Sequence, residues 1–578
     1  MNPASPKLTY HVRMENPSTH YLNIEMQVEN VTDDVIQIKT AVWTPGSYLI
    51  REYSKNIDAV VAKGKNGNSL PVKKIDKNTW EVTCSKKDFS VFYDTYSFEE
   101  SVRTSYVDDK HASIIPASAF MYLAKYDVAS VIHFHPFKGW EQISTSLEMV
   151  NGNKWIRSAP SKDILFDSPV EIGNHTVITF NAAGVEHELA MYGEGNYNLE
   201  KIKNDCIKII EEQTAMWGEN PCKRYVIIVQ NSHKGGGGLE HLNSTSLITQ
   251  RFNYEPESSY RGFISLFSHE YFHLWNVKRL RPAPLGPFNY DAENYTTSLW
   301  IAEGFTAYYD DLFVRRAGLM PVSDYLTIVE SNINSTRNRP GDNVQSVADA
   351  SFDAWIKYYR SNENSTNAQV DYYTKGATLA NTLDLEILHR SKGKHSLDDV
   401  LRFMYDEYYK KQNRAFTEAE MKAAIEKFTG TDMTWFYNDH VYGTKDIDYK
   451  TFFAYAGLNC SDVNEGNKEI DLGATINASN TISAVRRNSS AEKEGLNVND
   501  EILAINNFRF SNNLNTFTAG KNEGDTIEIT VSRNGMLQTF TVVLEYNKKT
   551  NYQLTINNDA TPEQKEIYKK WLKTEEFK

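Results

Sequence analysis

Polar and apolar residues alternate one for one through the first part of the chain. Leu22, Ile24, Met26 and Val28 alternate with polar neighbours, as do Trp80, Val82 and Cys84, and again Phe89, Val91 and Tyr93. A period of two puts every second side chain on one face. These runs therefore predict half-buried strands, and their number predicts a β-sandwich-like domain. Between them lies Trp43-Thr44-Pro45-Gly46-Ser47-Tyr48, where Pro-Gly predicts a corner between strands.

From about residue 171 the period changes. Val177 to Met191 still reads as strand. Asn198 to Trp217 carries Leu199, Ile202, Cys206, Ile209 and Ile210 at helical spacing. Arg224 to Gln230 predicts a short buried strand, and Ser244 to Gln250 another, at a sheet edge. A helix starting near Ser258 must stop before Pro282. A second is predicted from Thr297 to Ala317. Residues 319 to 455 read mostly helical, with breaks near 334–344 and 361–368. Asp371 to Gly376 opens a long helix with Leu379, Leu383, Leu385 and Leu388 on its inner side. From about 458 the period of two returns in Ile527, Ile529 and Val531. Asn534-Gly535 gives a hairpin signal before Phe540, Val542 and Leu544. Thr561-Pro562-Glu563-Gln564 then opens a terminal helix predicted to pack back on the body. The expected architecture is multidomain α+β: a β domain over 1–170, a mixed α/β then mainly helical domain over 171–457, a compact β module over 458–548 and a tail over 549–578.

Composition narrows this picture. At 578 residues the chain is too long for one core. Its 40% hydrophobic and 24% charged residues are those of an ordinary globular protein. A net charge of -13 argues against nucleic acid and anionic membranes as partners. No apolar run reaches membrane-spanning length. The four cysteines, Cys84, Cys206, Cys222 and Cys460, form no C-x-x-C pair, so a cysteine zinc site is not supported, and they are too sparse for a disulfide scaffold. The first residues, MNPASPKLTYHV, lack the apolar core of a signal peptide. Both a cytoplasmic protein and an exported chain shorn of its leader stay open.

The chemistry concentrates on the first helix after residue 257. His269-Glu270-Tyr271-Phe272-His273 is an H-E-x-x-H pattern, and residues four apart share a helix face. Both imidazoles can reach one metal ion while Glu270 projects toward a water on it. Glu303 follows 30 residues after His273 (303 − 273) on an otherwise apolar stretch. A carboxylate there should be paired or ligating, because an unpaired buried charge is costly. Two histidines, one glutamate and a position open to water make a catalytic zinc set. Gly304 beside it lets two helices approach closely. Gly235 to Gly238 run into Leu239 and Glu240 without the Gly-Lys-Ser/Thr of a phosphate loop. This run is either a flexible loop or one whose backbone approaches a substrate, with Glu240 holding a cationic group such as a free amine. Tyr373, at the opening of its helix, is either half-buried packing or a donor to a developing oxyanion.

Taken together, these pieces resemble the glycyl-aminopeptidase family of PDZ-bearing zinc metallopeptidases, and the resemblance covers nearly the whole chain. Trp43 to Tyr53 resembles the hallmark of that family's N-terminal β domain. Gly237-Gly238-Leu239-Glu240-His241 resembles its substrate loop, and Trp300-Ile301-Ala302-Glu303-Gly304-Phe305 its third-ligand helix. Tyr373-Thr374-Lys375-Gly376 is similar to its oxyanion motif, and Gly495 to Asn506 is PDZ-like. The resemblance implies a thermolysin-like catalytic domain, one zinc ion per chain, peptide substrates, and a preference for N-terminal Gly or Ala. It also implies a peptide or protein ligand for the PDZ-like module. One departure stands out. The expected carboxylate-binding loop reads Asp471-Leu472-Gly473-Ala474 in place of Gly-Leu-Gly-Phe, which speaks against capture of a peptide C-terminus.

The expected mechanism is zinc-dependent removal of N-terminal residues. His269, His273 and Glu303 are the ligands, Glu270 the general base and Tyr373 the oxyanion donor. Glu240 is the amine anchor, with Gly237 and Gly238 against the substrate. Asp310, seven residues after Glu303, orients a ligating histidine. The alternatives are an endopeptidase that presents substrates through the PDZ-like module, and a non-catalytic peptide-binding scaffold.

Overall fold

A computed structural model describes residues 5–578; the first four residues of the stretch read for a leader lie outside them. The architecture is multidomain α+β, with a β-rich N-terminal part, a mixed then mainly helical middle and a compact C-terminal β module. Two compact units divide the chain. The first comprises residues up to Tyr295 with Tyr309–Met320 and Leu401–Thr417; the second comprises Thr296–Tyr308, Pro321–Val400 and Glu418–Lys578.

In the first unit the alternating runs form three sheets. The largest has eight strands, with Lys7–Arg13 between Ser130–His135, which it pairs in parallel, and Tyr21–Glu29, which it pairs antiparallel. Leu22, Ile24, Met26 and Val28 all point inward, at 2% exposure or less. They share one core with Ile36 and Trp80 of a four-stranded sheet and Ile114 and Ile172 of a five-stranded one. Period two thus folds as read: one face of each strand is dry and the other is wet.

A five-stranded mixed sheet follows in the order Thr176–Ala182, Val185–Tyr192, Arg224–Ser232, Ser244–Gln250, Gly237–Glu240. Val185–Tyr192 and Arg224–Ser232 are parallel, so they need a crossover, and the helix Leu199–Trp217 supplies it. Asn198 caps that helix by accepting from the Lys201 N–H. Ser244–Gln250 is not the edge strand expected from its sequence. Gly237–Glu240 pairs along its outer side, so the edge is the glycine-rich segment. Gln213 on the crossover helix donates to the Ser268 carbonyl at 2.8 Å, which ties it to the helix Glu257–Phe272.

The second unit is built on the helix Tyr372–Arg390, whose middle is almost wholly buried. Asp371 caps it by accepting from the Tyr373 N–H at 2.9 Å. The helix expected over 297–317 is instead broken at Glu303, into Leu299–Ala302 and Gly304–Arg316. Just past it, Gly304 meets another helix: a Cβ there would sit 2.5 Å from the Cα of Gly376. Two backbones in contact at paired glycines leave no room for a side chain. The core of the C-terminal β module gathers Leu472, Ile482, Leu496, Ile502, Ile527, Ile529, Val531, Val542 and Leu544. Beyond it, Tyr552–Ile556 pairs with Leu458–Asp462. The capped terminal helix Pro562–Leu572 buries Trp571, whose indole N–H donates to the Tyr308 hydroxyl at 3.0 Å. Among the described residues, no helix is long and apolar enough to cross a membrane. All four cysteines are free and buried.

Candidate active site

The helix Glu257–Phe272 delivers the H-E-x-x-H pattern, but it ends one residue early. His273 is its C-cap, and the chain then turns so that the Lys278 N–H reaches the His273 carbonyl. His273 keeps right-handed helical dihedrals (φ -60°), so its ring stays on the face of His269, with ring centroids 4.8 Å apart. The turn has a use. His273 Nδ1 lies 2.6 Å from the Asn276 backbone carbonyl, which can only accept, so Nδ1 carries the proton and Nε2 keeps its lone pair. His269 Nδ1 lies 3.0 Å from Asp310 Oδ2. The Asp310 carbonyl also accepts from Ser268 at 2.8 Å, fixing this segment against the helix. Burial pushes the Asp310 carboxyl up, and His269 pulls against that shift. Burial and the adjacent Asp310 push Asp311 up to about 7.

Gly237–Glu240 lies along the same helix as an edge strand, not the loop its composition suggests. A Cβ on Gly238 would collide with the Glu270 carboxylate. The glycine is there because strand backbone and general-base candidate occupy adjoining space. Gly237 has φ +119°, open to glycine alone. The strand ends in Glu240, 4% exposed, and His241, 1% exposed. Beyond them, Asp167 accepts from the Leu242 N–H at 2.7 Å, from His241 at 3.1 Å and from Lys278 at 2.7 Å. Burial alone would raise the Asp167 carboxyl, but the Lys278 ammonium and His241 outweigh it and hold the group at about 2.

Within the first unit, Glu240, Glu270 and His273 form a group that could hold a metal ion, with their possible ligand atoms within 4.8 Å of one another. Glu303 is 2% exposed. In the second unit, Tyr373 stacks on both Tyr372 and Tyr358, with centroids 4.9 and 5.5 Å away. Burial and the Glu303 charge hold its hydroxyl protonated, well above the usual tyrosine range.

Sequence reasoning did not find the neighbour of Glu240. Gly46, in the Trp43 to Tyr53 turn, has φ +85°, and a Cβ there would lie 2.5 Å from Glu240 Oε2. The Pro-Gly signal marked the turn, but nothing in the chain pairs it with a carboxylate 194 residues on (240 − 46). In the C-terminal β module, Asp471 accepts from the Gly473 N–H at 2.9 Å and pairs with Arg486 at 2.6 Å. One amide of the expected carboxylate-binding loop is thereby already taken by the chain's own side chain.

Comparison with known proteins finds relatives of the chain's parts and of its fold. Residues 262–379 match the M61 glycyl aminopeptidase family, residues 9–174 the peptidase M61 N-terminal domain, and residues 461–544 the PDZ domain. Among solved structures, an aminopeptidase N family protein from Idiomarina loihiensis is similar at 29% identity and a TM-score of 0.90, over 98% of this chain and 100% of that one. An M1 zinc metallopeptidase from Deinococcus radiodurans is similar in fold, at 11% identity and a TM-score of 0.50, over 76% of this chain and 95% of that one. No curated protein sequence matches.

Proposed function

We propose that the chain is a metallo-aminopeptidase that removes N-terminal residues, small ones such as Gly and Ala, from peptides with one zinc ion per chain, a reading supported by its matches to the M61 glycyl aminopeptidase model and to that family's N-terminal domain. His269, His273 and Glu303 would hold the ion. Their chemistry fits it: two imidazoles with Nε2 left for a ligand bond, because Nδ1 is engaged elsewhere, and one buried carboxylate. When bound, zinc supplies Lewis-acid polarisation of the scissile carbonyl and acidifies water.

The rest is done by the chain. Glu270 takes a proton from the attacking water and delivers it to the leaving amine. The protonated Tyr373 hydroxyl donates to the developing oxyanion. Asp310 holds the His269 ring in one orientation and tautomer. Glu240 pairs with the substrate's α-ammonium.

The observation that carries the exopeptidase reading is the grouping of Glu240 with Glu270 and His273 within 4.8 Å. An α-amine is two bonds from the carbonyl of its own residue. An anchor this close to the base leaves space for one residue, not for a chain continuing past the site. The test is hydrolysis of alanyl and glycyl peptides with free and acetylated amines, by the wild type and Glu240→Ala. We expect E240A to raise KM at least tenfold for free-amine peptides and to leave the slow acetylated ones unchanged. Equal loss on both would replace this reading with an endopeptidase.

A further inference from the structure

A second cluster of histidines lies far along the chain from the H-E-x-x-H pattern, in the eight-stranded sheet. Lys7–Arg13 and Ser130–His135 run in parallel there, with His11 in register with His133 and Arg13 with His135. The neighbours Tyr10, Val12, Ile132 and Phe134 are buried in the core, so the alternation turns His11, His133 and His135 to the opposite, solvent-facing side. His133 and His135 are two apart on one strand, about 6.6 Å along it, and His11 sits about 4.8 Å across on the next. The rings already gather. His11 Nδ1 is 3.1 Å from His135 Nε2, and the His11 ring stacks on His133 at 4.7 Å and on His135 at 5.4 Å.

We propose that His11, His133 and His135 form a transition-metal site on this sheet, separate from the peptidase centre. Two nitrogens bound to one tetrahedral ion at about 2.0–2.1 Å each are about 3.4 Å apart. The His11 to His135 spacing is close to that bite already. The stacked His133 ring is half-exposed, so rotation about its side-chain bonds is open to it, and that rotation brings a third nitrogen to the same point.

The charged groups on this face are Arg13, Glu25 and, toward His135, Glu15. Arg13 is paired with Glu25 at 3.3 Å, so its charge is partly offset. Glu25 lies in register with His11 across the next strand. Three imidazoles with no thiolate and no carbonyl cage select zinc, nickel or copper over calcium and magnesium.

The experiment compares full-length wild type with a His11→Gln, His133→Gln, His135→Gln variant, both dialysed against micromolar zinc chloride and analysed for metal. The expected result is one zinc fewer per chain in the variant, with unchanged circular dichroism and unchanged hydrolysis of alanyl peptides. His133→Gln alone should weaken that extra zinc at least tenfold. Equal zinc content and affinity in wild type and triple variant would overturn the proposal. The readout is a difference between two proteins, so it stands whether or not the peptidase centre takes its own zinc.

Discussion

Gly46 sits against the Glu240 carboxylate so closely that a methyl group on its Cα would lie 2.5 Å from Oε2. The turn and the strand end come from segments almost two hundred residues apart. The glycine is doubly constrained, by that contact and by φ +85°, a region costly for residues with a Cβ. Gly46→Ala must therefore move the carboxylate or the turn. If Glu240 anchors the substrate amine, kcat/KM for free-amine dipeptides should fall about 100-fold, as for a misplaced positioning group. Bound zinc and the unfolding midpoint should change little beyond the ~1–2 kcal/mol of backbone strain. A variant with wild-type kcat/KM would detach Glu240 from the reaction.

Glu270→Gln keeps the shape of the side chain that packs under Gly238 and removes only its basicity. Metal content should stay at the wild-type level while kcat falls by about 10²–10⁴, the range for loss of a general base. Turnover near the wild-type rate would assign the proton transfer to another group.

The sequence exposes what is local and hides what is not. Alternation at Leu22 to Val28 gives strand, face and core directly, because a strand's period is written in neighbouring residues. The pair His269 and His273 is legible for the same reason, through one helical turn. The contact of Gly304 with Gly376 is not, because no local propensity reports a partner 72 residues on (376 − 304). Gly235 to Gly238 looks flexible by composition, yet Gly237–Glu240 is an edge strand. The glycines there answer to Glu270 and to a ladder partner, Ser244–Gln250, that follows them in the chain. Tyr373 shows the remaining gap: its helix is readable, but its position leaves packing and oxyanion donor both open, and only the family resemblance favours the donor.

The Asp310 carboxylate accepts from His269 Nδ1 at 3.0 Å while its backbone carbonyl holds Ser268. Asp310→Ala keeps the backbone contact and removes the ring's partner, freeing His269 to rotate and change tautomer. Zinc affinity, measured by competition with a chromophoric chelator, should drop 10- to 100-fold. At saturating zinc the loss of activity should be largely restored. Unchanged affinity would reduce Asp310 to a packing residue.

Asp167 ties together two segments that matter to the site: the Leu242 N–H and His241, just past Glu240, and Lys278, just past the turn from His273. Asp167→Asn leaves the buried Lys278 ammonium without its counter-charge, a change that costs about 3 kcal/mol in comparable buried pairs. The sign of the pH dependence follows from the depressed carboxyl. Its folded-state pKa is about 2, against about 3.9 for an unfolded aspartate. The stability it contributes is therefore fully present above pH ~4 and is lost as pH falls toward 2. Urea unfolding should show wild type more stable than D167N by about 3 kcal/mol at pH 7 and at pH 5. The gap should narrow between pH 4 and pH 2. A gap that stays constant to pH 2.5 would mean that Asp167 acts there by shape and hydrogen bonding, not by charge.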